Sequence, residues 1–222
     1  MVDDGSGDET AELVKAAAAV DPSVRLLETH HGGKAHALVH GMQSARGRIV
    51  LFADMDQATP IAEAAALLPW FDRGFDIVIG SRGLERQHAP VSRRAISYGQ
   101  LLARHLILGF SDIVDTQCGF KAFRREIVEP LIARLVVYRN AMEKQATGPR
   151  LSPGFDVELL YAARALGYSI KEVPVRWDHR RGRQTNLLRD CVRGVSDLLA
   201  IRSAARRGGY TVHSGKSAPR DE

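Results

Sequence analysis

Two aspartates one residue apart, Asp54 and Asp56, close the segment 51–60 (LFADMDQATP) just after the apolar run IVLFA. A strand that ends this way delivers two hard oxygen ligands into the mouth above a sheet, where open α/β folds bind their ligands. Such a pair suits a divalent cation held against a diphosphate, with water completing the shell. The same spacing also serves to cap the helix that would follow, and spacing alone leaves both readings open. A second anionic cluster, Asp3, Asp4 and Asp8, stands in VDDGSGDET. Asp8 or Ser6 reads as a cap for the next helix, with Glu9 in its first turn. Asp3 and Asp4 are better placed to accept hydrogen bonds from a base or ribose.

Residues 30–34 (HHGGK) set a glycine pair before Lys34 at a helix start, which suits a phosphate oxygen. The chain has neither G-x-x-x-x-G-K-[ST] nor G-x-G-x-x-G, which disfavours a P-loop ATPase or a Rossmann dehydrogenase. Arg82 in GSRG follows another strand toward the same mouth, with a surface salt bridge as its plain alternative. The polar stretch 115–121 (DTQCGFK) reads as an interruption between two helices, and 154–158 (GFDVE) opens a further helix. Asp156 is either a first-turn helix carboxylate or a site group. Cys118 reads as a small buried side chain, because no histidine partner is apparent.

Short aliphatic runs expected as strands (24–27, 48–53, 75–80 and 169–175) alternate with expected helices (9–20, 34–45, 61–71, 97–108, 125–137 and 157–166). That alternation predicts an α/β domain with a mainly parallel sheet. Residues 140–152 lack an apolar period and carry Gly and Pro, so a surface loop is expected there. Leu187, Leu188, Cys191, Val192, Val195, Leu198 and Leu199 form one apolar helix face with Arg189 and Arg193 opposite, fit either for packing on the sheet or for a membrane interface.

The 222 residues suffice for one domain and a short appendage, and 45% hydrophobic composition supports one sizeable core. Two cysteines are too few for a disulfide-built scaffold, and no stretch reaches 18 apolar residues without a charge. Residues 180–222 hold ten Lys/Arg against four Asp/Glu, which leaves 21 basic and 22 acidic residues elsewhere. Positive charge gathered at one end suits an anionic membrane surface or a phosphate-bearing partner, whereas a general nucleic-acid binder spreads it over its main fold.

Taken in order, VDDGSGDET, GGKAHALVHGMQSARGRIVLFADMDQATP, FDIVIGSRG, DTQCGFKAFRRE, GFDVELLYAARALGY and EVPVRWDH resemble the family 2 glycosyltransferases of the GT-A fold. Within that family they look most like the dolichyl-phosphate β-glucosyltransferases and their bacterial polyprenyl-phosphate relatives. The resemblance implies inverting transfer of glucose from UDP-glucose to a polyprenyl phosphate, with mannose from GDP-mannose or another hexose as the alternative. A truncated, catalytically silent remnant is the other alternative. It also implies Asp3 and Asp4 near the nucleoside, Lys34 on the nucleotide side, and Asp54 and Asp56 on Mg²⁺ or Mn²⁺. Arg82 would lie near the diphosphate or acceptor, and Gln117, Gly119 and Lys121 would face the donor sugar and lipid phosphate. Asp156 would orient the acceptor or touch the sugar, and Arg176 and His179 are further phosphate contacts. The domains implied are a GT-A domain over 1–179, a basic membrane-adjacent helical segment over 180–208 and a disordered tail over 209–222. The enzyme would sit peripherally on the cytoplasmic face of the cytoplasmic membrane. The family pattern places a strand and a P-x-Y-N-E-like turn before VDDGS, so the fold is expected to lack its usual first strand. Ala35 replaces a second glycine, Met55 separates the paired aspartates, and the 140–152 loop is longer than the pattern.

Overall fold

The computed structural model describes residues 1–83, 91–110, 112–143, 154–178 and 187–211, with the side chains of 91–98, 143 and 187–191 left out. His179 and most of the expected 140–152 loop lie outside these residues. The elements run β1 (Val2–Asp3), α1 (Thr10–Val20), β2 (Leu27–Glu28), α2 (Lys34–Ser44) and β3 (Ile49–Ala53). A 3-10 turn (Ile61–Glu63), α3 (Ala64–Leu67), α4 (Pro69–Asp72), β4 (Ile77–Ser81), α5 (Val91–Leu108) and β5 (Phe120–Arg124) follow. The chain continues through α6 (Arg125–Ile132), α7 (Val136–Glu143), α8 (Phe155–Ala165), β6 (Ile170–Pro174) and α9 (Leu187–Arg206).

Four strands form one sheet in the order β3-β5-β4-β6, and β1 pairs with β2 in a separate parallel ribbon. The α/β class holds, but the expected mainly parallel sheet is corrected to a mixed one. β5 runs antiparallel to both β3 and β4, while β4 and β6 run parallel. The polar stretch 115–121 therefore leads into a central strand instead of joining two helices. Lys121 interrupts the apolar reading of FKAF, yet Phe120, Lys121, Ala122 and Phe123 are all fully buried because β5 has a strand on each edge and layers on both faces.

Alternation along the strands divides the core in two. Val50, Phe52, Ile77, Ile79 and Phe123 face helices α2, α5, α6, α8 and α9, whereas Val78, Phe120, Ala122 and Val173 pack on Leu67 and Phe71. The helix expected over 61–71 comes as three short pieces, and Pro69, which cannot donate to the preceding turn, sets the break between α3 and α4. The helix expected over 125–137 also divides, at residues 133–135, and its second part carries helix to Glu143, into the expected loop.

β1 and β3 each present an unpaired edge to a cleft of about 560 Å³ lined by Val2, Leu38, Met42, Val50 and Phe52. The residues just past the carboxyl ends of the two strands, Asp4 and Asp54, both meet the start of α2. The helix passes close to β1 where Gly41 stands: a Cβ there would lie 2.9 Å from Val2 Cγ2.

The apolar face of α9 is split. Leu198, Ile201 and Ala204 are buried on the core, while Val192, Val195 and Leu199 are exposed. Asp197 fastens the helix by accepting the Gly154 amide at 3.0 Å, directly ahead of α8. No helix among the described residues is long and apolar enough to cross a membrane.

Candidate active site

The candidate site gathers around the carboxyl ends of β1, β3 and β4. Asp3, at the end of β1, turns its carboxylate back on its own loop. It accepts the Gly5 and Ser6 amides at 3.2 and 3.1 Å and the Ser6 hydroxyl as well. The Ser6 hydroxyl and these amides hold Asp3 below the usual carboxylate range.

Asp4 reaches the other way and accepts the Gly32 and Gly33 amides at 3.0 and 2.6 Å. Burial opposes its charge, but the two amides and His36 outweigh burial and lower its pKa. Glycine is required at this approach: a Cβ on Gly32 would lie 2.5 Å from the His36 ring, and Gly33 has φ of 86°. His36 itself is buried between His30 and His40, with ring centroids 4.3 and 4.4 Å away. Burial lowers its pKa and favours the neutral imidazole.

One residue beyond the glycine pair, Lys34 Nζ donates to Asp54 Oδ1 at 2.5 Å. Asp54 enters a space that only glycine leaves open, because a Cβ on Gly119 would lie 2.0 Å from Asp54 Oδ2. The main chain locks the same contact, with the Asp54 amide donating to the Gly119 carbonyl at 3.0 Å. Asp56 is exposed, and its Oδ1 accepts the Ala58 amide at 3.0 Å in a local turn, while the 3-10 turn that starts at Ile61 carries no cap from either aspartate. Gln57 between them takes φ of 51°, a left-handed conformation that turns the chain sharply after the pair.

Two more ion pairs complete the mouth. Arg82 grips Asp115 through Nε at 2.6 Å and Nη2 at 2.7 Å, and its own amide donates to the same carboxylate at 3.0 Å. Burial works against both charges, yet this grip holds Asp115 down to about 2 and raises Arg82 above its ordinary value. Lys121 Nζ, fully buried, donates to the Cys118 carbonyl at 2.6 Å and to Asp156 Oδ1 at 2.5 Å. Asp156 sits in the first turn of α8, which fixes the carboxylate at the lysine. The two pairs share one field, since Asp156 acts on Arg82 and Lys121 acts on Asp115.

Gln117 joins them through its amide, which donates to Asp115 at 3.3 Å. Cys118 is buried, and burial pushes its thiol pKa up, which agrees with a packing role. Arg176 stands apart. Its side chain is exposed beside Asp178 at 3.6 Å, and its amide donates to Glu63 at 3.1 Å.

The sequence reading missed Asp115 as the partner of Arg82, and it did not pair Lys121 with Asp156. A lysine inside the apolar string FKAF was the available signal, because a buried lysine needs a carboxylate. Glu172 and Arg104, which hold the 114–116 peptide, carried no recognisable pattern. Among the described residues no group of three His, Cys, Asp or Glu side chains forms a protein-only metal cage. Two oxygen-donor carboxylates on a β-strand end, with open positions around Asp56, nevertheless fit a cation whose other ligands come from a diphosphate and water.

Anionic and cationic groups thus gather at the strand ends of a mixed α/β sheet, an arrangement that suits a phosphate-bearing ligand. The glycosyl transferase family 2 pattern matches residues 1–132, and the chain belongs to that family. It is 31% identical to a dolichyl-phosphate beta-glucosyltransferase of Trichomonas vaginalis over 97% of this chain and 64% of the relative. The protein of the same description from Drosophila melanogaster is 36% identical over 80% of this chain and 54% of its own length. The chain thus spans less than two thirds of these relatives. Among solved structures, Mycobacterium tuberculosis glucosyl-3-phosphoglycerate synthase in complex with Mn²⁺, UDP-glucose and glycerol 3-phosphate aligns with a TM-score of 0.57. At 19% identity over 90% of this chain and 66% of that one, the likeness concerns the fold.

Proposed function

We propose that the protein transfers glucose, with inversion, from UDP-glucose to a polyprenyl phosphate at the membrane surface. The observation that carries this reading is the convergence of three pairs, Lys34–Asp54, Arg82–Asp115 and Lys121–Asp156, around one mouth at the strand ends. Similarity to several dolichyl-phosphate beta-glucosyltransferases supports the choice of donor and acceptor.

An oxygen of the acceptor phosphate attacks the anomeric carbon as the bond to the diphosphate oxygen breaks, and UDP leaves with the bonding pair. The nucleophile is already anionic, so no strong general base is required. The loop that carries Asp3 and Asp4 is assigned to the nucleoside, with the two carboxylates holding that loop and the glycine pair in place. Lys34, at the amino end of α2, receives a phosphate oxygen and releases Asp54 as it does so. Asp54 and Asp56 would hold Mg²⁺ or Mn²⁺, which supplies positive charge to the departing diphosphate. Arg82 spends Nε and Nη2 on Asp115 and keeps Nη1 for a phosphate oxygen. Asp156, fixed by Lys121, orients the acceptor or a sugar hydroxyl, with Gln117 beside it. Arg176, and His179 outside the described residues, are assigned to the lipid phosphate.

Turnover of UDP-glucose in the presence of polyprenyl phosphate and Mn²⁺ tests this assignment. Asp56→Ala is expected to lower the rate at least about 100-fold with the melting temperature unchanged, in keeping with the loss of an electrostatic group at a reacting centre. An unchanged rate would remove Asp56 from the reaction.

A further inference from the structure

We infer that Glu172 is a positioning residue for the Arg82 guanidinium and thereby sets affinity for a phosphate-bearing substrate. This deepens the proposed function and rests on the role given there to Arg82. Arg82 is aimed by Asp115, and Asp115 belongs to the stretch between α5 and β5, which no strand pairing holds. The peptide is gripped from two sides instead. Glu172, on β6, accepts the Val114 and Asp115 amides at 2.8 Å each, one on each carboxylate oxygen. From α5, Arg104 donates through Nη2 to the Val114 carbonyl at 2.7 Å and through Nη1 to the Thr116 hydroxyl.

A carboxylate on the amide side and a guanidinium on the carbonyl side leave the peptide little freedom to shift. Charge-assisted bonds of this kind are stronger than neutral ones and more demanding of geometry. Arg104 is buried and its Nε has no partner, a cost consistent with a side chain kept for its two bonds to this peptide. The strands tie the two ends together. Glu172 is the register partner of Ile79 on β4, which runs on through Gly80 and Ser81 into Arg82. Glu172 and Arg82 thus leave adjacent strands near the same end, and Asp115 bridges them. None of the contacts of Glu172 described here reaches the Asp54, Asp56 or Lys34 groups.

Glu172→Gln keeps the shape but replaces one acceptor oxygen with an amide that meets a backbone N–H. The Arg82 Nε–H resonance, followed by nuclear magnetic resonance in the protein without substrate, should shift and exchange faster with solvent. That readout does not depend on the reaction, so it tests the positioning even if the proposed function fails. In steady-state kinetics, Arg82→Lys identifies which phosphate-bearing substrate Arg82 serves, by the KM that it raises. Glu172→Gln should raise the same KM about tenfold, with kcat within about twofold, and should add nothing further in the Arg82→Lys background. Thr116→Val, which removes the hydroxyl to which Arg104 donates, should act in the same direction with a smaller effect. It carries the test if Glu172→Gln fails to fold. An unmoved Arg82 resonance, or KM effects that add fully to that of Arg82→Lys, would overturn the inference. Absence of turnover in the unaltered protein would instead count against the proposed function and leave the resonance test in force.

Discussion

Two of the site's carboxylates are kept charged by different means, and the difference sets how each responds to pH. Asp4 relies chiefly on two glycine amides and Asp115 on a bidentate arginine. Asp115 has the clearest consequence. Its folded value of about 2 lies below its ordinary 3.8, so the pairing contributes stability above the ordinary value and loses it as pH falls through about 2. The gap corresponds to about 2 kcal/mol. Asp115→Asn is therefore expected to melt several degrees below the unaltered protein at pH 7, and the two melting curves should converge near pH 2. Equal melting temperatures at pH 7 would show that the Arg82 pair contributes nothing to stability. Asp54 and Asp56 were legible as a pair because an apolar strand ended in two carboxylates. The partner of each charged group was not legible, because partners lie 20 to 35 residues away in sequence, as with Lys34–Asp54 and Lys121–Asp156.

At the scale of elements, apolar runs marked β3 and β4 well, and Lys121 concealed β5. A lysine at the centre of a strand argues against burial unless its amine has a destination, and only the folded chain supplies the Cys118 carbonyl and Asp156. α9 was legible as an amphipathic helix but not as a helix with two apolar edges. Its docking rests on Asp197 at the start of α8 and, just past its carboxyl end, on Tyr210. The Tyr210 hydroxyl donates to Glu158 at 2.7 Å, and Glu158 also accepts the Val137 and Tyr138 amides at 2.6 and 2.8 Å. One buried carboxylate thereby joins α7, α8 and the end of α9, and burial raises its pKa. Tyr210→Phe removes one of these bonds and leaves the ring packed against Tyr161. A loss of about 1–2 kcal/mol is expected in urea denaturation with an unchanged m-value. No loss would mean that the hydroxyl is dispensable to the docking of α9.

For the whole molecule, charge and shape point the same way. Basic residues gather beyond residue 179, and the exposed edge of α9 places Val192, Val195 and Leu199 among them. The proposed function assigns this edge to an anionic bilayer, where apolar insertion and attraction to lipid phosphates would hold it. Partition onto vesicles containing phosphatidylglycerol is expected to fall at least about fivefold in Val195→Asp, by the cost of inserting a charge in place of an apolar group. Equal partition of the two proteins would exclude insertion of this edge. The cleft between the edges of β1 and β3 is the other feature of the whole. Sequence patterns named the family because its motifs are local. They could not supply the mixed strand order, which depends on how β5 enters between β3 and β4.

Transfer of glucose to a lipid phosphate can be measured by incubating the protein with polyprenyl phosphate and Mn²⁺, with UDP-glucose and GDP-mannose in separate samples, and weighing the lipid product by mass spectrometry. A hexosyl-phosphate lipid is expected with UDP-glucose and none with GDP-mannose. Product from GDP-mannose alone, or no product from folded protein with either donor, would contradict the proposed transfer.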